Sequence, residues 1–508
     1  MNANEPSPHA STVGGKAAGS GFQFGPVNFG TVAHLLAQAL LPLAGALLVT
    51  AAIALVRGTM DDTYPFLYAT LVTAVLAGLC FFVGRRRGAT IFTADALVTV
   101  AATWILFGLL GALPFTFAGV ADFTDAWFES ISGFTTTGAS IFAAPSQLSA
   151  GLLFWRALTH WFGGLGIVLL YLALFPQIGA GARHLFTHES TGPITDTLKP
   201  RLRQTARTLW RVYAALTVAN IVGLWLCGMD LFDAVCHAFA TLATGGFSTQ
   251  DGSIGQYHSL SIELVTVLFM ILAGVNFSLY ARAARTRTLS VFSRDTEFRT
   301  YVVFLVLAVM IITVALLGTV YEDRWHAFRS ALFQTVSYHT CTGFATDDAN
   351  RYPAVAQILL ILVTFLGGSA GSTAGGLKTA RIIILAKVVF REVYKTFRPN
   401  AVLAIKMSGN PVDNDTIRTI GSFLTLAVAT YAVGALVLAA LGLDAGTALS
   451  APAACLWNVG PGLSVVGSMG NYATLPSAGK WLLSALMLLG RLEFFTFLVV
   501  FSPRFWKR

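Results

Sequence analysis

Charge is what this 508-residue chain has least of. Asp, Glu, Lys and Arg make up 11% of it, against about 25% in ordinary soluble domains. That scarcity excludes a soluble enzyme, a disordered tail protein and a nucleic-acid binder. The five cysteines, Cys80, Cys227, Cys236, Cys341 and Cys455, form no CxxC pair and lie in or beside apolar segments, which argues against a disulfide framework or a zinc site. HExxH, GxSxG, Walker and βαβ-type GxGxxG patterns are absent too, so no catalytic constellation points to an enzyme and no organic cofactor is expected. The first 30 residues are rich in Gly, Ala, Ser and Pro and lack an apolar core. They read as a disordered cytoplasmic tail and not as a cleaved signal peptide.

What the chain does have is apolar length. Hydrophobic residues are 55% of it and fall in runs of about 20, the length a helix needs to cross a bilayer core. The expected fold class is an all-α polytopic membrane protein. Candidate spans are 33–56, 67–84, 94–119, 151–176, 206–228, 260–281, 300–320, 354–390 (interrupted), 417–442 and 479–502. Every second connection is basic: Arg85, Arg86 and Arg87; Arg183, Lys199, Arg201 and Arg203; Arg282, Arg285, Arg287 and Arg294; Lys387, Arg391, Lys395 and Arg398; Arg504, Lys507 and Arg508. The alternate ones carry Asp61, Asp62, Asp122, Asp125, Asp230, Asp233, Glu322, Asp323, Asp347 and Asp348. The positive-inside bias then puts the basic loops and both termini in the cytoplasm.

The outer connections share a pattern: FTDAWFESISGFTTTGAS (123–140), LFDAVCHAFATLATGGFST (231–249), WHAFRSALFQTVSYHTCTGFAT (325–346) and TALSAPAACLWNVGPGLS (447–464). Each is a short helix candidate followed by a Thr/Gly-rich strip. Aligned on Gly138, Gly246, Gly343 and Gly462, they lie 108, 97 and 119 residues apart. Asp125 and Asp233 precede the first two of these glycines by 13 residues and are candidate helix caps. A helix of about 12 residues rises only about 18 Å and cannot cross a roughly 30 Å core. Each segment must enter and leave on one face, with its strip lining a cavity inside the protein. The expected organisation is a tail (1–30), two peripheral helices (31–88) and four repeats, 89–205, 206–298, 299–415 and 416–508, packed with pseudo-fourfold symmetry around one pore.

Backbone carbonyls from four strips can replace the water shell of an alkali cation. Gly permits the required φ > 0 conformations, and Thr136, Thr137, Thr244, Thr340 and Thr342 add hydroxyls and stiffness. The strips carry no charged side chain, which disfavours an anion pore. One such strip could be a Gly/Thr-rich turn; four at comparable spacing favour a pore. Two features sit elsewhere. Five glycines, Gly367, Gly368, Gly371, Gly375 and Gly376, interrupt the eighth span within 367–376, more than a tight helix crossing needs. Arg491 lies mid-span, where a charge costs roughly 2.5–3.5 kcal/mol; Glu493 cannot face it at i, i+2, so it needs another partner. Glu129 could attract cations or brace a strip from behind, with bracing favoured. Lys378 could act beside Arg491 or snorkel. His160 and His339 read as satisfied hydrogen-bonding residues and not as metal ligands.

SISGFTTTGAS, LATGGFST, HTCTGFAT and NVGPGLS resemble the four filter segments of the Trk/Ktr/HKT superfamily of cation uptake proteins. HWFGGLGIVLL (160–170), GGSAGSTAGGLKTARI (367–382) and GRLEFFTFLVVFSPRFW (490–506) match as well. The resemblance covers about residues 94–506, and the two extra leading spans look like the bacterial Trk-type potassium-uptake subunit. It implies a K⁺ filter at Thr136, Thr137, Gly138, Thr244, Gly245, Gly246, Cys341, Thr342, Gly343, Val459, Gly460, Pro461 and Gly462. Gly at position 138, where sodium-preferring members carry Ser, points to potassium. The fourth strip has Pro461 and no Thr, which implies looser selectivity, and the side chain of Cys341 is expected to pack behind its strip. The resemblance also implies a gating loop at 367–376, acting with Arg491 as a pore barrier and Lys378 beside it. It further implies a homodimer with one pore per protomer, a peripheral cytosolic nucleotide-binding regulatory subunit, and a place among the lipids of the bacterial inner membrane. The rival reading is an H⁺- or Na⁺-coupled secondary transporter with its site at broken helices.

Overall fold

A computed structural model describes residues 26–86, 92–166 and 202–506. Residues 1–25, Arg87, Arg183, Lys199, Arg201, Lys507 and Arg508, and the C-terminal half of the fourth expected span, lie outside the described residues. Helices α1 (Phe29–Arg57) and α2 (Met60–Val83) pack against each other. Thr59 and Asp62 cap the start of α2 reciprocally. The pair leans on α3 (Thr93–Phe117), and α1 also touches α5, described next.

From α3 onward one pattern recurs. A long helix is followed by a short one and then, after an extended strip, by a second helix. The first set is α3, α4 (Phe123–Phe134) and α5 (Ala150–Trp161). The second is α6 (Leu202–Leu226), α7 (Leu231–Ala243) and α8 (Leu260–Ala273). Helices α9 (Phe277–Thr286) and α10 (Ser290–Arg294) lead into the third set, α11 (Thr296–Leu316), α12 (Arg324–His339) and α13 (Ala354–Phe365). Helix α14 (Thr379–Phe397) and a small antiparallel hairpin, β1 (Lys406–Met407) with β2 (Asn410–Pro411), precede the fourth, α15 (Asn414–Ala440), α16 (Ala445–Leu456) and α17 (Ser477–Arg491). The chain ends in α18 (Phe495–Val500) and α19 (Pro503–Trp506).

The packing between sets is cyclic. Helix α5 packs on α7, α8 on α12, α13 on α16, and α17 closes the circle on α4. Every short helix is thus clasped by the second helix of the preceding set, and its inner residues are buried. All four short helices start at an Asp cap: Asp122, Asp230, Asp323 and Asp444 accept backbone N–H bonds from Asp125, Phe232, His326 and Thr447. The expected caps Asp125 and Asp233 are instead first-turn residues. Asp125 bonds Lys480 Nζ, and Asp233 accepts from Thr249, Gln250 and Tyr257. The cap oxygen must come from the residue just outside the helix, whose backbone is still extended. Asp444→Ala is expected to lower stability by about 1 kcal/mol; thermal unfolding of detergent-solubilised protein should show a lower midpoint with the transport preference intact.

Ten spans were expected. Among the described residues six helices are long and apolar enough to cross a membrane, or seven if the pair α8–α9, bent by 89°, counts as one. The shortfall is systematic. Helix α5 runs into a π turn at Phe162–Gly166 with a non-helical Gly164. The sixth span bends between α8 and α9, the eighth stops at Leu366, and the tenth breaks where Glu493 and Phe494 take φ of 53° and 28°. All four second helices break after 12 to 15 residues, and irregular backbone at that depth requires protein partners.

Candidate functional site

Each short helix runs into its strip through a left-handed residue. Thr136, Thr244, Cys341 and Asn458 have φ of 54°, 55°, 57° and 54°. Two residues later Gly138, Gly246, Gly343 and Gly460 have φ of 80°, 83°, 82° and 93°. A β-branched Thr with φ > 0 is a true backbone outlier, and such strain clusters at functional sites. The fourth strip therefore aligns on Gly460, two residues before the expected Gly462. Pro461 and Gly462 lie past the equivalent position: Gly462 N–H donates to Val466 O at 2.7 Å, and its carbonyl accepts from Tyr338 Oη at 3.3 Å.

The four glycines close a ring. A Cβ on Gly138 would strike the carbonyl oxygen of Gly245, one on Gly246 that of Thr342, one on Gly343 that of Val459, and one on Gly460 would press on that of Thr137. The oxygens met are the same position in every strip, one residue before the glycine. Thr137, Thr342, Val459 and Gly245 are buried, and no donor among the described residues reaches their four carbonyl oxygens. Buried carbonyls are ordinarily paired, because an unpaired one costs free energy comparable to a lost hydrogen bond. Four at one level make a polar ring ready for a ligand that brings positive charge.

The strips are braced from behind. Glu129 lies in α4, and both its oxygens are used: Oε1 accepts from Arg156 Nε at 2.8 Å and Ser140 Oγ at 3.0 Å, and Oε2 from Ile141 N at 2.9 Å. Bracing, the favoured reading of Glu129, is what the geometry has. Arg156, on α5, also donates to Ser248 O at 2.9 Å and stacks 4.2 Å over Phe247, tying the first strip to the second. His237 bonds Ser248 Oγ, Ser337 donates to Phe344 O at 2.6 Å, and Tyr472 donates to Gly460 O at 2.7 Å. Asn458 Nδ2 reaches Thr137 Oγ1 at 2.9 Å, joining the fourth strip to the first. Cys341 is fully buried within the core cluster. The expectation of hydrogen-bonded histidines is corrected at His160: neither ring nitrogen has a partner among the described residues. Its ring stacks on Phe247 at 4.1 Å behind Gly245. His339 stacks on Tyr301.

The glycine-rich segment 366–378 has no helix. It is stitched to the break after α8 by Ser369 N to Gly274 O (2.8 Å), Phe277 N to Gly371 O (3.1 Å) and Thr373 Oγ1 to Ala273 O (3.2 Å). Gly376 N donates to Trp457 O at 3.0 Å, the residue before left-handed Asn458. The segment therefore abuts the base of the fourth strip. Gly375 packs so close to Trp457 O that a Cβ would clash. Arg491 reaches Thr373 O at 3.2 Å and the carbonyls of Gly163 and Gly164 in the π turn after α5. Its partners are thus backbone oxygens of two other sets, while Glu493 pairs with Arg381 at 2.7 Å. Lys378 Nζ bonds Ala374 O within the loop.

The structure brings Thr137, Gly138, Gly245, Gly246, Thr342, Gly343, Val459 and Gly460 into one ring, with Thr136, Thr244 and Cys341 at its base. Gly367, Gly368, Gly371, Gly375 and Gly376 lie in the loop that meets the fourth strip where Gly376 N bonds Trp457 O, and Lys378 and Arg491 bond that loop at Ala374 O and Thr373 O. Sequence reasoning missed Arg156, Asn458, Tyr472 and Arg381. For Arg156 a signal existed, since a charge inside an apolar segment needs a partner. Asn458 sits at the left-handed position that Asn tolerates best.

Six or more apolar spans around a ring of donor-free oxygens define a polytopic membrane protein whose polar centre is chemically suited to a cation. Comparison with known proteins narrows the class. The TrkH family profile, described as cation transport protein, matches residues 65–508, and the chain belongs to that family. It is 38% identical to the Trk system potassium uptake protein TrkH of Escherichia coli K12 over 446 residues, 87% of this chain and 92% of that one. It is 34% identical over 448 residues to TrkG of the same strain, again 87% and 92% of the two chains. Among solved structures, the crystal structure of the potassium transporter TrkH from Vibrio parahaemolyticus superposes with a TM-score of 0.85 at 35% identity, covering 94% of this chain and 100% of that one.

Proposed function

We propose that this protein takes up potassium across the bacterial inner membrane, with the ring of Thr137, Gly245, Thr342 and Val459 oxygens as the selectivity filter. The single observation that carries this reading is the closed cycle of four glycines against four donor-free carbonyls. Such oxygens replace hydration water around a desolvated alkali cation. The relatives named above are potassium uptake proteins, which supports K⁺ as the cargo. The membrane potential supplies about 2.3 kcal/mol per charge per 100 mV. Both termini face the cytoplasm in this reading. Segment 367–376 is the gate, and Arg491, held against it with Lys378 nearby, is an electrostatic barrier. Two like charges at about 4 Å repel by about 4 kcal/mol at an effective dielectric of 20, enough to regulate flux. A cytosolic nucleotide-binding subunit on the basic face would move the gate, and two copies of the chain would assemble, each with its own pore.

Flux in proteoliposomes with K⁺ or Na⁺ and no H⁺ gradient tests the reading. K⁺ influx should follow an imposed voltage alone. Influx that stops without an H⁺ or Na⁺ gradient would favour a coupled secondary transporter. Deleting 370–374 should raise leak about tenfold or more, because removing a barrier of several kcal/mol changes rate steeply; leak at the unmodified level would refute the gate.

A further inference from the structure

We propose that Glu297 is the positioning residue that holds segment 367–376 closed. Glu297 sits in the first turn of α11, buried, with 7% of its surface exposed. Its Oε1 accepts two backbone N–H bonds from the far side of the segment: Ala370 N at 2.7 Å, in the middle of the loop, and Ala380 N at 3.1 Å, in the first turn of α14. One carboxylate oxygen therefore bridges the loop to the helix that follows it, ten residues downstream. A carboxyl group is costly to bury unless its oxygens are hydrogen-bonded, and these two backbone donors supply those bonds.

The remaining anchors of the loop are of another type. Ser369, Gly371 and Thr373 bond the backbone of the α8–α9 break, Gly376 bonds Trp457, and Thr379 bonds Gly367 and Gly368. Arg491 reaches the loop at Thr373 O. Among the described residues, Glu297 is the one side-chain carboxylate bonded to the loop backbone. It comes from α11, whose first residue is touched by the hairpin turn, Thr296 N donating to Ser408 Oγ at 3.4 Å, while α14 meets the same hairpin through Lys387 Nζ to Lys406 O at 2.6 Å. A displacement of the hairpin thus acts on the turn that carries Glu297.

This inference rests on the reading of 367–376 as a gate, and the tests separate the two. Glu297→Ala removes both bonds; basal K⁺ leak per folded protein in liposomes should rise about tenfold, with the preference for K⁺ over Na⁺ unchanged. Glu297→Gln keeps an oxygen at the same reach and should return leak to within about twofold of the unmodified protein. Glu297→Asp keeps the carboxyl group but falls short by a methylene, and should leak like the Ala variant; it serves if the Ala variant does not fold. Leak unchanged in both Ala and Asp variants, while deletion of 370–374 does leak, overturns the role of Glu297 and leaves the gate standing. No leak in the deletion either overturns the gate itself. A change in ion preference in the Ala variant would also overturn the proposal, since it would place Glu297 in support of the ring.

Discussion

Gly138→Ser will reduce the preference for K⁺ over Na⁺ by about tenfold or more, with the protein still inserted and folded. The added Cβ lands on the carbonyl oxygen of Gly245, so one of the four ring oxygens must move, and Gly138 itself has φ of 80°, where a side chain is strained. Strain of this kind costs about 1–3 kcal/mol. Relieving that strain displaces one oxygen of the proposed filter, and a change of 1.4 kcal/mol in its relative affinity for the two ions is about a factor of ten. The same substitution at Gly421, where nothing lies within 4 Å of a built Cβ, is the control and should leave the preference alone. Competition of Na⁺ against K⁺ in liposome uptake reads both variants. An unaltered preference in a well-expressed Gly138→Ser protein would remove the ring from the mechanism.

Arg156→Met will lower stability sharply. It strips Glu129 of the one ion-pair partner it has among the described residues; the two side chains are 2% and 0% exposed. Breaking one side of a buried pair costs about 3–5 kcal/mol, because the remaining charge stays buried and uncompensated. Adding Glu129→Gln should recover most of that loss, since replacing both charges is far less costly than replacing one. The double variant would still lack the Arg156 bonds to Ser248 O and Ser140 Oγ, so its ion preference should be looser than that of the unmodified protein. Thermal unfolding of the three variants forms a double-mutant cycle. A coupling near zero would mean that the pair does not hold the first two strips together.

Much of the architecture was legible in the order of residues. Apolar length announced the helices, and four Gly-bearing strips announced a fourfold centre, because a short helix cannot cross a bilayer and a strip without side-chain charge offers neutral oxygens. The glycine cluster at 367–376 announced a break in the eighth span. Other parts were not legible. The fourth strip was set on Gly462 because glycines recur at 460 and 462 and composition alone cannot say which of them takes φ > 0. The breaks in the sixth and tenth spans were missed because apolar residues run straight through them, Leu272, Ala273, Val275 and Phe277 in one and Leu488, Leu489, Leu492 and Phe494 in the other. Hydropathy records how greasy a segment is and carries nothing about where its backbone turns.

Periodicity, length and the charge-poor composition are local properties, and they were enough to mark a helical membrane protein with four related short-helix-and-strip segments. Which glycine meets which carbonyl, that Arg491 rests on oxygens from two other sets, and that Glu129 stands behind a strip and not before it became visible in the packing alone. Those pairings join residues more than a hundred positions apart in the cases of Arg491 and Asn458, and they follow from how sets of helices clasp one another, which no single stretch of chain encodes.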